Sequence, residues 1–340
     1  MITGERGART SSGESVGQPM RPTLGSAGPE IALAIAFFTA IAIATTYPLI
    51  LQARYALPAG LGDPAFGTFL LAWDADRLAH AFSGFWNAPY LFPHQNTLAY
   101  AEHLLGVAIF TAPIQWVTRN PVLVYNVAFL GSYVLTGAGM YLLTRSLWGR
   151  KDAAMLAGLA FMLSPYRLGQ ITHIQVLMAG WMPIALCALH VYFATGSRRA
   201  LAGFAAAFAL QALSNGYFLF FFSIALAVVV GVELVRPRLP RVRIVRDLAA
   251  AGLGIGAALA PFAWKYITVQ RQNVFDRNAE DLLHYSARLS DYFKVFPGAW
   301  TWGGLLGFGA AERQLFLGFA AMALAAIGLW TARQPEPPDG

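Results

Sequence analysis

Residues 61–103 read LGDPAFGTFLLAWDADRLAHAFSGFWNAPYLFPHQNTLAYAEH and hold Asp63, Asp74, Asp76, Glu102, His80, His94 and His103. Four of the chain's 17 acids and three of its six histidines therefore fall in one connection. It follows a continuous apolar run at residues 31–51, long enough to cross a hydrocarbon core about 30 Å thick. The Asp63-Pro64 pair is a helix-start signal, an N-capping acid with proline at the first helical position. Residues 64–82 then predict a helix lying in the interface, with Phe66, Phe69, Leu70 and Trp73 on its apolar side. Pro89, Pro93 and Asn96 interrupt the chain before a second helix at about residues 99–117. That helix opens on Glu102-His103 and contains Pro113 and Gln115, so it is expected to lie in or dip into the interface rather than cross.

The remainder is apolar. Of 340 residues, 57% are hydrophobic and 12% charged, with a mean hydropathy of +0.51. Soluble domains carry about twice that share of charge, so the composition predicts an all-α, polytopic membrane protein. Residues 1–29, rich in Gly, Ser and Pro, read as a flexible cytoplasmic tail without a cleavable leader. Expected spans are 31–51, 122–144, 153–164, 176–195, 201–213, 217–235, 248–269 and 315–331, eight in all. Residues 52–121 form the first outer loop, 270–314 the second, and 332–340 a short polar tail. In this order Arg145, Arg150, Lys151, Arg198, Arg199 and the run from Arg236 to Arg246 all fall on one side, as cytoplasmic Lys and Arg do. Making 104–117 a span would invert everything after it. The net charge of +7 thus reports topology and contact with membrane lipids, and no nucleic-acid partner is expected.

Cys187 stands alone in an apolar run and reads as a packing residue. Gly252, Gly254 and Gly256 lie within an apolar helix with no strand before them, which suits close helix packing rather than a phosphate loop. No His-Glu-x-x-His spacing occurs, and no nucleotide or redox cofactor motif is visible. His190, Glu233 and Lys265 are the main ionisable groups within apolar segments and lie toward helix ends, which argues against an ion-coupled transporter.

Chemistry is therefore sought in the outer loops. Asp63 has capping as a sufficient structural role. Asp74 lies three helical turns on, about 16 Å along the axis, so the two carboxylates cannot hold one ion. Local pairing of Asp74 with Arg77 and of Asp76 with His80 is expected. Glu102 suits a helix start and, if buried, a general base or metal ligand. Arg167 either snorkels to the interface or offers its fork of donors to a phosphate. His173, Lys265, Arg271 and Arg277 are expected on the same side.

Several short stretches are similar to those of the GT-C superfamily of membrane glycosyltransferases, in particular its bacterial, uncharacterised branch. They are Gly62-Asp63-Pro64, Ala72-Trp73-Asp74, residues 100–106 (YAEHLLG), residues 120–126 (NPVLVYN), Ser164-Pro165-Tyr166-Arg167 and Gly180-Trp181-Met182-Pro183. The resemblance spans about residues 31–330 and lies in the order of the motifs. It implies transfer of a sugar from a polyprenyl-phosphate donor to an acceptor hydroxyl at the outer face of the bacterial inner membrane, with inversion. It also implies Asp63 as base with Asp74 as a second catalytic carboxylate. Glu102, His103, Arg167, His173 and Arg271 would bind substrate, and Asp63 with Glu102 a divalent cation such as Mg or Mn. The adjacent acid pair common after the first span of such enzymes is missing, and the chain reads as a short version of them. The alternative is an inactive membrane component that binds or moves a lipid-linked glycan.

Overall fold

A computed structural model describes residues 28–272, 279–310 and 313–331. Both expected tails, apart from residues 28 and 29, and Arg277 lie outside the described residues. The described chain is helical throughout, with no strand and a single isolated bridge between Val295 and Phe308.

Helix α1 (Gly28–Thr45) ends earlier than the apolar run suggests. Pro48 lacks the N–H that would continue the ladder, and only a short α2 (Leu49–Gln52) follows. Next come α3 (Asp63–Ala79) and, after a 3-10 turn at Thr97–Tyr100, α4 (Leu105–Thr118). The long α5 (Pro121–Trp148) begins on Asn120, whose Oδ1 accepts the Leu123 N–H at 2.9 Å, and ends at Gly149 with φ +70°. Beyond it lie α6 (Lys151–Met162), α7 (Pro165–Gly169), α8 (Ile174–Leu177), α9 (Trp181–Thr195) and α10 (Arg198–Ser214). The series closes with α11 (Gly216–Val235), α12 (Arg241–Gln272), α13 (Ala279–Tyr285), α14 (Trp300–Leu306) and α15 (Phe319–Thr331). Ser197 and Asn215 cap α10 and α11 as Asn120 caps α5.

Five segments are long and apolar enough to cross a membrane: α1, α5, the stretch Ile174–Thr195, α11 and α12. They coincide with five of the eight expected spans. The other three expected spans are helices as well, but shorter: α6 has 12 residues, α10 17 and α15 13. Apolar side chains face outward on α11 and α12, including Phe220, Val232 and Leu253.

Close approaches hold the bundle. Phe38 of α1 is wedged against Gly137 of α5 and Gly158 of α6, where a Cβ would collide with its ring. Gly139 faces the Gly180 carbonyl, which a Cβ would meet at 2.7 Å, joining α5 to α9. Cys187 is a packing residue, its thiol reaching the Leu142 carbonyl at 3.5 Å. Gly106 lets α4 lie on the end of α10; a Cβ there would strike the Leu210 carbonyl and Ser214, whose backbone N would be only 2.8 Å away. Because backbone cannot move aside, Gly106→Val is expected to lower stability by about 1–3 kcal/mol, read as a lower melting temperature. An unchanged melting point would mean that α4 is free to shift away from α10.

The two ends of the bundle differ in charge. At one end Glu30 accepts from Arg145 and pairs with Lys151, both at 2.8 Å, and takes the Tyr141 hydroxyl at 2.6 Å. Near it, Arg243 donates to the Gly196 carbonyl at 2.6 Å, Tyr192 to Asp247 at 3.1 Å, and Arg238 pairs with Glu233 at 2.8 Å. The basic connections are thus gathered at one end. At the opposite end Asn126 donates to the Ala53 and Ala56 carbonyls at 2.9 and 2.7 Å, fastening the start of the first loop to α5. Helix α4 begins against the end of α10 and leads into the start of α5, so both its termini lie at this opposite end. The segment after α13 packs there too: Asp291 and Arg313 pair at 2.9 Å, and Phe296 and Gln314 lie against Gly169 of α7.

Candidate functional site

Asp63 is the first residue of α3, not its cap: Gly62 stands in the capping position, and its carbonyl takes the Ala65 and Phe66 N–H groups. The Asp63 side chain does not cap the helix and is 60% exposed. Its Oδ2 meets His173 Nε2 at 3.0 Å, and His173 is itself only 25% exposed. The helix start and the turn before α8 are therefore joined across a long stretch of chain. Tyr125 lies beside them, its ring against Gly67 one turn into α3, and among the described residues its hydroxyl has no hydrogen-bond partner.

Asp74 departs furthest from expectation. It does not pair with Arg77, whose guanidinium instead holds Asp76 at 2.8 Å through Nε. The expected Asp76–His80 contact is present at 3.5 Å. Asp74 is fully buried with Gly67, Leu70, Leu71 and Ala75, at the three- and four-residue spacing of one helical face. That face packs on α4, where Trp116 Nε1 donates to the Ala75 carbonyl at 2.8 Å. Among the described residues neither Asp74 oxygen has a hydrogen-bond partner. Burial pushes its pKa up to about 8, with the nearby Leu104 amide pulling the other way.

Glu102 precedes α4 instead of opening it. Its Oε1 accepts the N–H of Gly216, the first residue of α11, at 2.7 Å, while Oε2 is buried and has no hydrogen-bond partner among the described residues. The carboxylate thus sits at the positive end of α11's dipole. Burial raises its pKa, and the Gly216 and Tyr217 amides offset part of that rise. His103 is enclosed by the rings of Phe85, Trp86, Phe262 and Tyr266, and burial lowers its pKa to about 4. Its Nδ1 accepts the Leu105 N–H at 3.4 Å, so it helps to start α4 as a neutral ring. The Tyr266 hydroxyl accepts the His103 N–H at 3.2 Å and donates to the Ala101 carbonyl at 2.9 Å, anchoring this turn on α12.

Arg167 neither snorkels nor faces a surface groove. It is 3% exposed, and Nε and Nη1 donate to the carbonyls of Met162 at 3.2 Å and Leu177 at 2.7 Å. The guanidinium lies 5.4 Å from the Tyr133 ring centroid, and Nη2 has no partner. Arg271 is exposed on the last turn of α12, and Lys265 donates to Asn96 at 3.1 Å.

Of the expected residues, the structure joins Asp63 to His173, and groups Asp74 with the Glu102–Leu104 turn. Asp63 and Glu102, expected to share a metal, have different partners, and eleven residues of α3 separate Asp63 from the Asp74 end of the helix. Among the described residues no three His, Cys, Asp or Glu side chains converge. Tyr125 and Tyr133 were missed by sequence reasoning: each reads as an aromatic on an apolar helix, and only the neighbouring polar groups mark them out.

No curated protein and no solved structure matches the chain. Residues 31–339 match one family over nearly the whole length, and the chain accordingly belongs to the family described as Domain of unknown function (DUF6311).

Proposed function

We propose that this protein is a GT-C-like membrane glycosyltransferase of the bacterial inner membrane. It would move a sugar from a polyprenyl-phosphate donor to an acceptor hydroxyl on the extracytoplasmic face. In this reading α6, α10 and α15 complete eight spans, the basic end and the N-terminus are cytoplasmic, and α3 and α4 lie in the outer interface. The observation that carries it is the exposed Asp63 carboxylate, paired with His173 at the end opposite the basic connections. As the acceptor oxygen attacks the anomeric carbon, the bond from that carbon to the phosphate oxygen breaks and polyprenyl phosphate leaves. The acceptor proton passes to the Asp63 carboxylate, and the anomeric carbon is inverted. The placement of Asp63 and Glu102 does not fit a shared divalent cation, and no step is routed through a metal.

A second reading, an inactive component that binds or moves a lipid-linked glycan, is favoured by the inward orientation of Asp74, Glu102 and Arg167. The two are separated with purified protein in lipid and a panel of radiolabelled polyprenyl-phosphate sugars. Wild type is expected to turn over one donor, and Asp63→Asn to lose at least about 100-fold in rate, the lower part of the range for general-base removal. Donor binding without turnover in either protein supports the binder. Full turnover by Asp63→Asn ends the assignment of Asp63 as base.

A further inference from the structure

We infer that His173 is a positioning residue for Asp63, forming with it a dyad built from two distant parts of the chain. The inference rests on Asp63 being the base of the proposed reaction.

Asp63 has lost the role that its place in the sequence suggests. With Gly62 in the capping position, no backbone N–H of α3 holds the carboxylate, and a side chain that is 60% exposed would ordinarily rotate among its rotamers. Among the described residues the side chain that pairs with it is His173, whose Nε2 lies 3.0 Å from Oδ2. An ionised carboxylate can only accept, so the Nε2–H form of the ring is the one that suits this 3.0 Å approach. The other ring nitrogen, Nδ1, lies 3.3 Å from Thr172 Oγ1, which donates to it when the ring is neutral. Each ring nitrogen thus has a polar neighbour, and the Nε2–H tautomer satisfies both contacts.

The turn that carries His173 is itself held from below. The His173 carbonyl takes the Val176 and Leu177 N–H groups, each at 3.0 Å. Arg167 grips the Leu177 carbonyl from within the bundle while also holding Met162. Ile174, the next residue, is fully buried and reaches the face of α3 at Gly67. A Cβ on Gly67 would meet the Tyr125 ring at 2.9 Å and Ile174 at 3.3 Å, so α3 and the His173 turn are in direct contact. The histidine is thus presented by a rigid support and the aspartate by a helix end pressed against it. One Asp63 oxygen lies against His173 while the side chain stays 60% exposed, which suits a base that must meet an acceptor hydroxyl in one orientation.

The test combines kinetics with a measurement that needs no turnover. His173→Ala is expected to reduce kcat about 10- to 100-fold with KM little changed, because a misplaced base affects the transition state more than binding. His173→Gln, which retains a side-chain N–H donor, is expected to recover most of that loss. The double variant Asp63→Asn/His173→Ala should be no slower than Asp63→Asn alone, since the histidine acts only through the aspartate. Losses that multiply in the double variant, or no rescue by Gln, would overturn the inference. So would wild-type kcat in His173→Ala.

Independently, nitrogen NMR of histidine-labelled protein in lipid should show His173 as the Nε2–H tautomer. That signal should move in Asp63→Ala. A His173 resonance indifferent to Asp63→Ala would overturn the dyad whatever the activity. Full turnover by Asp63→Asn together with an intact NMR coupling would instead mean that the contact exists and the base lies elsewhere.

Discussion

Replacing Asp74 by Asn raises thermal stability at pH 8 and changes little near pH 4. The carboxyl is fully buried and, among the described residues, no cation is paired with it and neither oxygen has a hydrogen-bond partner. Its folded pKa of about 8 stands well above the ordinary value of 3.8. Below about pH 4 the group is protonated in both the folded and the unfolded chain and contributes no pH dependence. Between about pH 4 and 8 the unfolded chain has released the proton and the folded one keeps it. The unfolded state therefore binds fewer protons, and stability falls as pH rises. Above pH 8 both states are ionised and the loss levels off. A shift of about four units sets an upper bound on the order of 5 kcal/mol, and relaxation of α3 or entry of water would reduce it.

Asn keeps the shape without the charge and is free of this penalty. Melting curves of wild type and Asp74→Asn from pH 5 to pH 9 should accordingly diverge with rising pH. Parallel curves would mean that Asp74 has a counter-charge in the folded protein. Gain in stability together with loss of sugar transfer would identify Asp74 as a group retained for function at the expense of the fold.

Arg167→Ala should destabilise the protein by about 2–5 kcal/mol, the largest loss expected from any single site residue. The guanidinium closes the C-terminal carbonyls of two short helical segments, those of Met162 and Leu177. Truncation leaves both carbonyls buried without donors and opens a cavity beside Tyr133. Removal of an unpaired buried charge offsets part of this cost. Arg167→Lys is expected to fall between, because one ammonium cannot reproduce a fork that reaches two carbonyls in different directions. If Arg167 instead meets a donor phosphate, Arg167→Ala would weaken donor binding with the melting temperature unchanged. Measuring both quantities on the same preparation separates the two roles.

Much of the fold was legible because its causes are local. Apolar runs at residues 122–144, 176–195, 217–235 and 248–269 became helices of spanning length, since hydropathy and 1.5 Å of rise per residue need no knowledge of neighbours. Asn120, Ser197 and Asn215 each lie where a helix begins and cap it through their own side chains. The Asp76–His80 contact follows from four-residue spacing alone. Boundaries were less legible: α1 stops at Thr45, and α4 starts at Leu105, where the Tyr266 hydroxyl and the His103 ring fix the preceding turn.

By itself the sequence determined that the chain is helical and apolar, and that its acids and histidines gather in the first loop. It could not determine what those groups meet. The partner of Asp63 is His173, which no spacing rule connects to it. The partner of Glu102 is the N–H of Gly216, 114 residues further on. Asp74 lies on the buried side of α3 because that side, with Gly67, Leu71 and Ala75, packs on α4, whereas the sequence alone marks the side of Phe66, Phe69, Leu70 and Trp73 as apolar. Helix formation is decided by hydrogen bonds within four residues and by apolar periodicity. Burial, the pairing of a charge and hence its proton affinity are decided by which helices pack together, and that is a property of the whole chain.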